Sequence, residues 1–158
     1  MQEKVAFTKE YDATILAFSI LKRLGCGGVG SFDERLKSQK VQYLAQLFGV
    51  SPAYTFSLYI RGPYSSALAN DLFKIRDAKI SASEEKFVPE ELEERFMALK
   101  KFIEKKTLRE LELITTLHLL LKSGKYTEGG SIKELQELKS ASPYEAKTAL
   151  EAVKHIPQ

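Results

Sequence analysis

The sequence predicts a mostly α-helical, compact single-domain bundle with a short extended segment or hairpin, of which a winged-helix-like fold is one variant. Apolar residues recur at helical spacing through most of the chain, which is the pattern of amphipathic helices. Residues 54–59 instead alternate between apolar and small polar side chains, as a strand does. The length of 158 residues fits one domain, 1–158, because domains commonly have about 100–200 residues.

The first half of the chain predicts two helices joined by a glycine loop. Residues 9–24 carry one apolar stripe and are followed by residues 25–31, which contain four glycines. Each glycine costs a helix about 1 kcal/mol relative to alanine, so we interpret residues 25–31 as a flexible connector rather than as a phosphate-binding loop. The second helix is predicted from residue 31 or 33 to residue 48.

A third helix is predicted after the extended segment. Gly62-Pro63 ends that segment, and proline fits the first turn of a helix because its missing N–H would have no partner there. The helix is therefore placed from residue 63 or 65 to residue 77, and residues 78–88 are predicted to form a loop.

The second half of the chain predicts helices throughout. One follows Pro89 to about residue 105, and the next, residues 108–122, is apolar on more sides and is predicted to be the central helix of the core. Ser131 and Ser142 each stand three residues before a glutamate, the pattern of a capping box at a helix start. Residues 124–130 are predicted to form a turn, with a small hairpin as an alternative.

Composition excludes several classes of protein. No apolar run approaches the ~20 residues of a membrane span, and the first twelve residues lack the apolar core of a signal peptide. Cys26 is the one cysteine, so no internal disulfide can form. We therefore expect a cytoplasmic protein without a membrane partner, of undetermined oligomeric state.

The sequence predicts no catalytic centre, no metal site and no cofactor. Its two histidines, His118 and His155, lack a ligand partner at helical spacing, and Cys26 has none nearby. His118 shares a face with leucines, which favours a core histidine. We expect a protein that is not an enzyme.

Two charged residues fall on apolar helix stripes. Lys40 lies between Leu36 and Leu44, and Asp71 lies between Leu68 and Leu72. Because an isolated buried charge is costly, we predict that Lys40 and Asp71 form an ion pair between the second and third helices. In the alternative, Lys40 extends to water and Asp71 lies at a rim.

The segment from Tyr59 to Ser66 concentrates the polar groups that suit binding. An arginine, two hydroxyls and the free N–H groups of a helix start would converge there, which is the ordinary composition of an anion or carboxylate site. In the alternative interpretation Ser65 caps the helix and Arg61 is solvated. The candidate residues for binding a partner or an anion are Tyr59, Arg61, Gly62, Pro63, Tyr64, Ser65 and Ser66.

Three stretches carry a resemblance to a known family: Gln39-Lys40-Val41-Gln42-Tyr43-Leu44, Phe56-Ser57-Leu58-Tyr59 and Gly62-Pro63-Tyr64-Ser65-Ser66-Ala67-Leu68-Ala69-Asn70-Asp71-Leu72. Together they resemble the pattern QKLxYL … F … Y … GPYSxxLxxDL of the YwgA-like proteins of archaea and bacteria and of the wider SocA/Panacea group. Val41 departs from it, since leucine is usual there.

The resemblance implies a mostly α-helical fold. In the SocA/Panacea branch it also implies an antitoxin, or an adaptor that binds another protein, without a cofactor. The family's Lys, Asp and GPYS positions map onto Lys40, Asp71 and residues 62–65. The resemblance carries no catalytic assignment.

Two functions of different class follow as expectations. The first is a protein-interaction module, antitoxin-like or adaptor-like, that holds another protein through the segment from Tyr59 to Ser66. The alternative is a winged-helix-like nucleic-acid-binding protein, since residues 1–80 carry 11 Lys and Arg against 7 Asp and Glu. Its contacts would come from a basic face in residues 22–79, namely Lys22, Arg35, Lys37, Arg61, Lys74 and Arg76. An enzyme or nucleotide binder at Arg61 and Ser65 ranks last.

Overall fold

A computed structural model describes residues 10–51, 54–78, 82 and 85–158 of the chain. These residues form helices and one two-stranded antiparallel hairpin, which confirms the predicted mostly α class. In chain order the elements are α1 Glu10–Arg23, α2 Phe32–Leu47, β1 Ser57–Tyr59, β2 Gly62–Tyr64, α3 Ser66–Ala78, α4 Glu90–Ile103, α5 Leu108–Lys122, α6 Glu128–Lys139 and α7 Pro143–Val153.

Helix α5 is the central helix, as its sequence predicts. It packs against α2, α6, α7 and β2, and its buried side chains point in several directions around the helix axis. The helix begins at Thr107, where the threonine hydroxyl and the Glu110 carboxylate satisfy each other's backbone N–H groups. Its buried apolar residues are Leu111, Leu113, Ile114, Leu117 and Leu120.

Of the two capping boxes predicted at the starts of the last two helices, one is correct and one is wrong. Ser142 caps α7 through a complete capping box with Glu145, as predicted. The box predicted at Ser131 is wrong: α6 begins at Glu128, capped by the Thr127 hydroxyl, and Ser131 is buried inside the helix. The predicted turn or hairpin at 124–130 is therefore only a short turn before Thr127.

Of the two predicted starts of the third helix, Pro63 is wrong, because residues 62–64 pair with β1; α3 begins at Ser66, one residue after the other predicted start. The register is Ser57 with Tyr64, Leu58 with Pro63 and Tyr59 with Gly62. Ser65 then caps α3, its hydroxyl oxygen accepting a hydrogen bond of 3.2 Å from the Leu68 N–H. The two residues between the strands, Ile60 and Arg61, form the turn.

Helices α1 and α2 are joined by the predicted glycine loop, which leaves α1 through Gly25 at φ +74°. Of the predicted loop at 78–88, residues 79–81, 83 and 84 lie outside the described residues, as do residues 1–9 of the predicted domain. None of the described helices is both long enough and apolar enough to cross a membrane.

Candidate functional site

The inner strand of the hairpin, β2, is packed closely against the helices. It contacts α2 and α5, and Gly62 and Pro63 are buried. Gly62 has φ +99°, and a Cβ there would lie 3.0 Å from Thr116 Oγ1. Only glycine adopts such a backbone without strain, so Gly62 is needed for the close approach of β2 to α5.

Two buried lysines hold the turn of the hairpin from below. Lys40 Nζ on α2 donates to the Arg61 carbonyl at 2.5 Å, and Lys139 Nζ at the end of α6 donates to the Ile60 carbonyl at 2.5 Å. Lys40 is 0% exposed and Lys139 is 9% exposed. Two charge-assisted hydrogen bonds to successive carbonyls fix the turn more firmly than neutral bonds would.

The positive charge beneath the turn exceeds the negative charge. Glu112 on α5 lies 3.4 Å from Lys139 Nζ and also attracts Lys40. Burial nevertheless lowers the pKa of Lys40 to about 8, and repulsion from Lys139 and Arg61 adds to this shift. We call Lys40, Glu112 and Lys139 the lysine cluster.

A buried hydroxyl lies beside this cluster. Thr116 Oγ1, directly under Gly62, has no hydrogen-bond partner among the described residues. Such an atom is uncommon in a folded interior, and it adds to the polar character of the space beneath the hairpin.

The predicted ion pair between Lys40 and Asp71 is wrong, although Lys40 is buried as its position on the stripe indicated. Asp71 accepts a hydrogen bond of 2.8 Å from the Tyr54 hydroxyl and lies 3.7 Å from Lys74 Nζ. Lys40 instead donates to the Arg61 carbonyl in the hairpin turn.

Ser65 serves the backbone rather than an anion. It is 1% exposed, and its hydroxyl caps α3. The Gln39 amide pairs with its main chain: Gln39 Nε2 donates to the Ser65 carbonyl at 3.0 Å, and the Ser65 N–H donates to Gln39 Oε1 at 2.9 Å. The structure therefore favours the capping interpretation, while Arg61 and Ser66 are exposed.

The outer side of the hairpin is apolar and open. Ile60, at the turn, is 90% exposed, and Tyr59 beside it is 55% exposed. The Tyr59 ring meets the Tyr64 ring edge-on with centroids 5.1 Å apart, which braces it. We call Leu58, Tyr59, Ile60 and Leu138 the hairpin patch; together with Lys139 they line a groove of about 440 Å³.

A second groove continues from Leu58 along the extended segment. It has a volume of about 490 Å³ and lies between residues 54–58, α2 and the end of α5. At its side the Tyr43 hydroxyl bonds to His118 Nδ1 at 2.7 Å. His118 is partly buried on the helix face, as predicted, and burial lowers its pKa. We call this cavity the β1 groove.

The structure brings together only part of the predicted basic face. Arg35 and Arg76 both lie over the Phe73 ring, 5.1 and 4.7 Å from its centroid. Lys74 pairs with Asp71, and Lys37 lies close enough to Cys26 to act on its thiol. Lys22 and Arg61 are exposed at the end of α1 and in the hairpin turn.

Sequence reasoning missed three members of this site. Lys139 follows Ile132 and Leu135 at helical spacing, the same signal that identified Lys40. Glu112 gives no such signal, because a partly buried glutamate beside leucines is unexceptional. The exposed Ile60 would have stood out had the hairpin turn been recognised.

No family model, no curated protein and no solved structure matches the chain. The described residues contain no group of three His, Cys, Asp or Glu side chains placed to hold a metal ion.

Proposed function

We propose that the chain is a protein-interaction module and that the hairpin patch is where it holds its partner. The observation that carries the proposal is Ile60, an isoleucine 90% exposed on a turn whose two carbonyls are held by buried lysines. Apolar side chains that contact water in this manner mark interaction surfaces when they are contiguous.

Rigidity supports the same conclusion. Binding is weakened by the entropy lost when interface groups become ordered. The lysine cluster already fixes the turn, and the Tyr64 ring already contacts Tyr59. The hairpin should therefore lose little conformational entropy when it binds a partner. Aromatic residues with adjacent apolar contacts are also the usual centres of binding energy.

The proposal agrees with the adaptor-like or antitoxin-like role that the resemblance to the YwgA-like and SocA/Panacea proteins implies. It also leads us to propose a cytoplasmic protein that is not an enzyme. The hydrogen bonds from Lys40 and Lys139 to main-chain carbonyls support a structural role for these two lysines.

Photocrosslinking tests the proposal. A benzophenone amino acid is introduced at position 60 and, as a control, at Tyr144, which is 78% exposed on α7. In the source cells, position 60 should capture a defined protein that position 144 does not. Purified, that protein should bind the Ile60→Asp variant at least about tenfold more weakly than wild type. Equal capture at both positions, or unaltered binding by Ile60→Asp, would refute the proposal.

A nucleic-acid-binding alternative is supported by one observation, the exposed Phe73 ring with two guanidinium groups beside it. Aromatic rings flanked by arginine suit stacking on single-stranded bases. Such binding would weaken steeply with added salt. A fluorescence-anisotropy titration with single-stranded oligonucleotides, in low and high salt and with Phe73→Ala, distinguishes it; salt-independent or absent binding would rule it out.

A further inference from the structure

We infer that the partner contributes an extended, acidic peptide segment, which lies in the β1 groove and adds a strand to the outer edge of β1. This inference rests on the proposed function and specifies the chemistry of what is held. It follows from three features: the free edge of β1, the shape of the groove beside it, and the charge of the groove.

Pro63 shows which way the backbone of β1 points. In an antiparallel pair, residues opposite each other either exchange two N–H···O bonds or exchange none. Leu58 faces Pro63, and proline has no N–H to exchange. The Leu58 N–H and carbonyl therefore point away from β2, toward the outer edge.

No other strand of the described part of the chain pairs with that edge. Apart from the pairing within the hairpin, no backbone hydrogen bond in the described part of the chain involves Leu58. All three residues of β1 are exposed, unlike those of β2. An exposed edge with free donors and acceptors is a ready template for another strand, and the addition of a peptide strand is a recurring mode of recognition.

The cavities beside β1 have the form such a segment needs. Leu58 lines both the β1 groove and the groove of the hairpin patch, so the two grooves adjoin at this residue. The β1 groove offers aromatic and aliphatic walls from Tyr43, Phe56 and Leu119. An extended peptide would direct alternate side chains into these walls, since strand side chains alternate with a period of two.

Charge selects the kind of peptide. Lys122 and Lys125 line the β1 groove, and both are exposed. Neither lining contains an aspartate or a glutamate. A partner with carboxylates at one end of an apolar segment would complement this arrangement, whereas a second copy of the same chain would bring lysines against lysines.

The experiment pans a displayed library of random linear peptides against the immobilised full-length chain. Selected peptides should alternate apolar and polar residues and carry an excess of Asp and Glu at one end. The same peptides should bind the Lys122→Glu/Lys125→Glu variant at least about tenfold more weakly. The matched control, Lys147→Glu/Lys154→Glu, makes the same change of charge at two exposed lysines in and directly after α7, which line neither groove, and should bind as wild type does.

Amide hydrogen exchange then identifies the mode of binding. A bound peptide that adds a strand should slow exchange at the Leu58 N–H, and circular dichroism confirms that both variants are folded. The inference is overturned by an empty selection, by peptides without acidic excess, by unaltered binding to the Lys122→Glu/Lys125→Glu variant, by unchanged exchange at Leu58, or by light scattering that shows a dimer formed through this edge. If crosslinking at position 60 still captures a partner, the proposed function stands without the inference; if crosslinking also fails, both fall.

Discussion

The two strands of the hairpin have the same length and lie side by side, but their surroundings are opposite. Behind β2 the interior is polar, with two lysines and a glutamate around the turn. In front of β1 the surface is apolar, with Ile60 almost fully exposed. Charged groups are usually exposed and large apolar groups buried, and at the hairpin turn this distribution is reversed. The comparison indicates that the inner side holds the backbone in place and the outer side is left for contact.

The largest effect is expected from removing the negative charge on the inner side. The Glu112→Gln substitution leaves two buried ammonium groups without a compensating carboxylate, and breaking a buried ion pair in this way costs about 3 kcal/mol. Urea unfolding should show the loss. Glu94→Gln, at an exposed position of α4, is the matched control and should change the free energy of unfolding by less than about 0.5 kcal/mol.

A double-mutant cycle sharpens this result. Adding Lys40→Met to Glu112→Gln removes one of the two uncompensated charges, so the double variant should be more stable than the sum of the single effects predicts. Additive losses would show that the members of the lysine cluster act independently, contrary to the arrangement described above.

The next effect is a dependence of stability on pH. Folding lowers the pKa of Lys40 from 10.5 to about 8, so between these values the unfolded chain binds more protons than the folded chain. Stability must then rise with pH across that window, by about 2 kcal/mol between about pH 7.5 and pH 9.5. Higher pH is avoided because burial raises the pKa of Tyr43 and Tyr54, and ionisation of these tyrosines would favour the unfolded chain.

The Lys40→Met variant supplies the control for this measurement. Other groups that titrate in the window, such as Lys106, whose pKa is also lowered by burial, contribute equally to both proteins. The increase of about 2 kcal/mol in the free energy of unfolding should therefore appear in wild type and be absent from the variant. If the two proteins respond to pH in parallel, Lys40 does not carry the shifted pKa.

The smallest effect on stability is expected on the outer side. Ile60→Ser removes an exposed side chain that the fold does not use, so the free energy of unfolding should change by less than about 0.5 kcal/mol. Thermal unfolding measures this directly. A loss of several kcal/mol would mean that Ile60 supports the fold, and the contrast between the two sides of the hairpin would then disappear.

Much of the fold could be predicted because its signals are local. Helix α5 is predicted to the residue at both ends, since its apolar residues stand in one continuous stretch. The Ser142 box predicts α7 for the same reason. Ser131 shows the limit of this reasoning: Thr127 provides a cap four residues earlier, and two candidate caps so close together cannot be ranked by pattern alone.

The candidate site was less predictable because its contacts are distant in sequence. Pro63 suits either a helix start or a strand edge, and pairing with Leu58 decides between them. The stripe on α2 correctly places Lys40 in the interior, but its partner is a main-chain carbonyl, which no side-chain pattern reveals. Lys139 lies 79 residues from the carbonyl it holds.

The hydrogen bonds from Lys40 and Lys139 reach carbonyl oxygens, which every amino acid possesses. Positions 60 and 61 therefore supply acceptors to the interior whatever side chains they carry. The support of the turn does not depend on the side chains at positions 60 and 61, so the same lysines could hold a turn with a different pair of residues. The turn is accordingly a natural position for randomisation, where specificity could be redesigned without rebuilding the helices behind it.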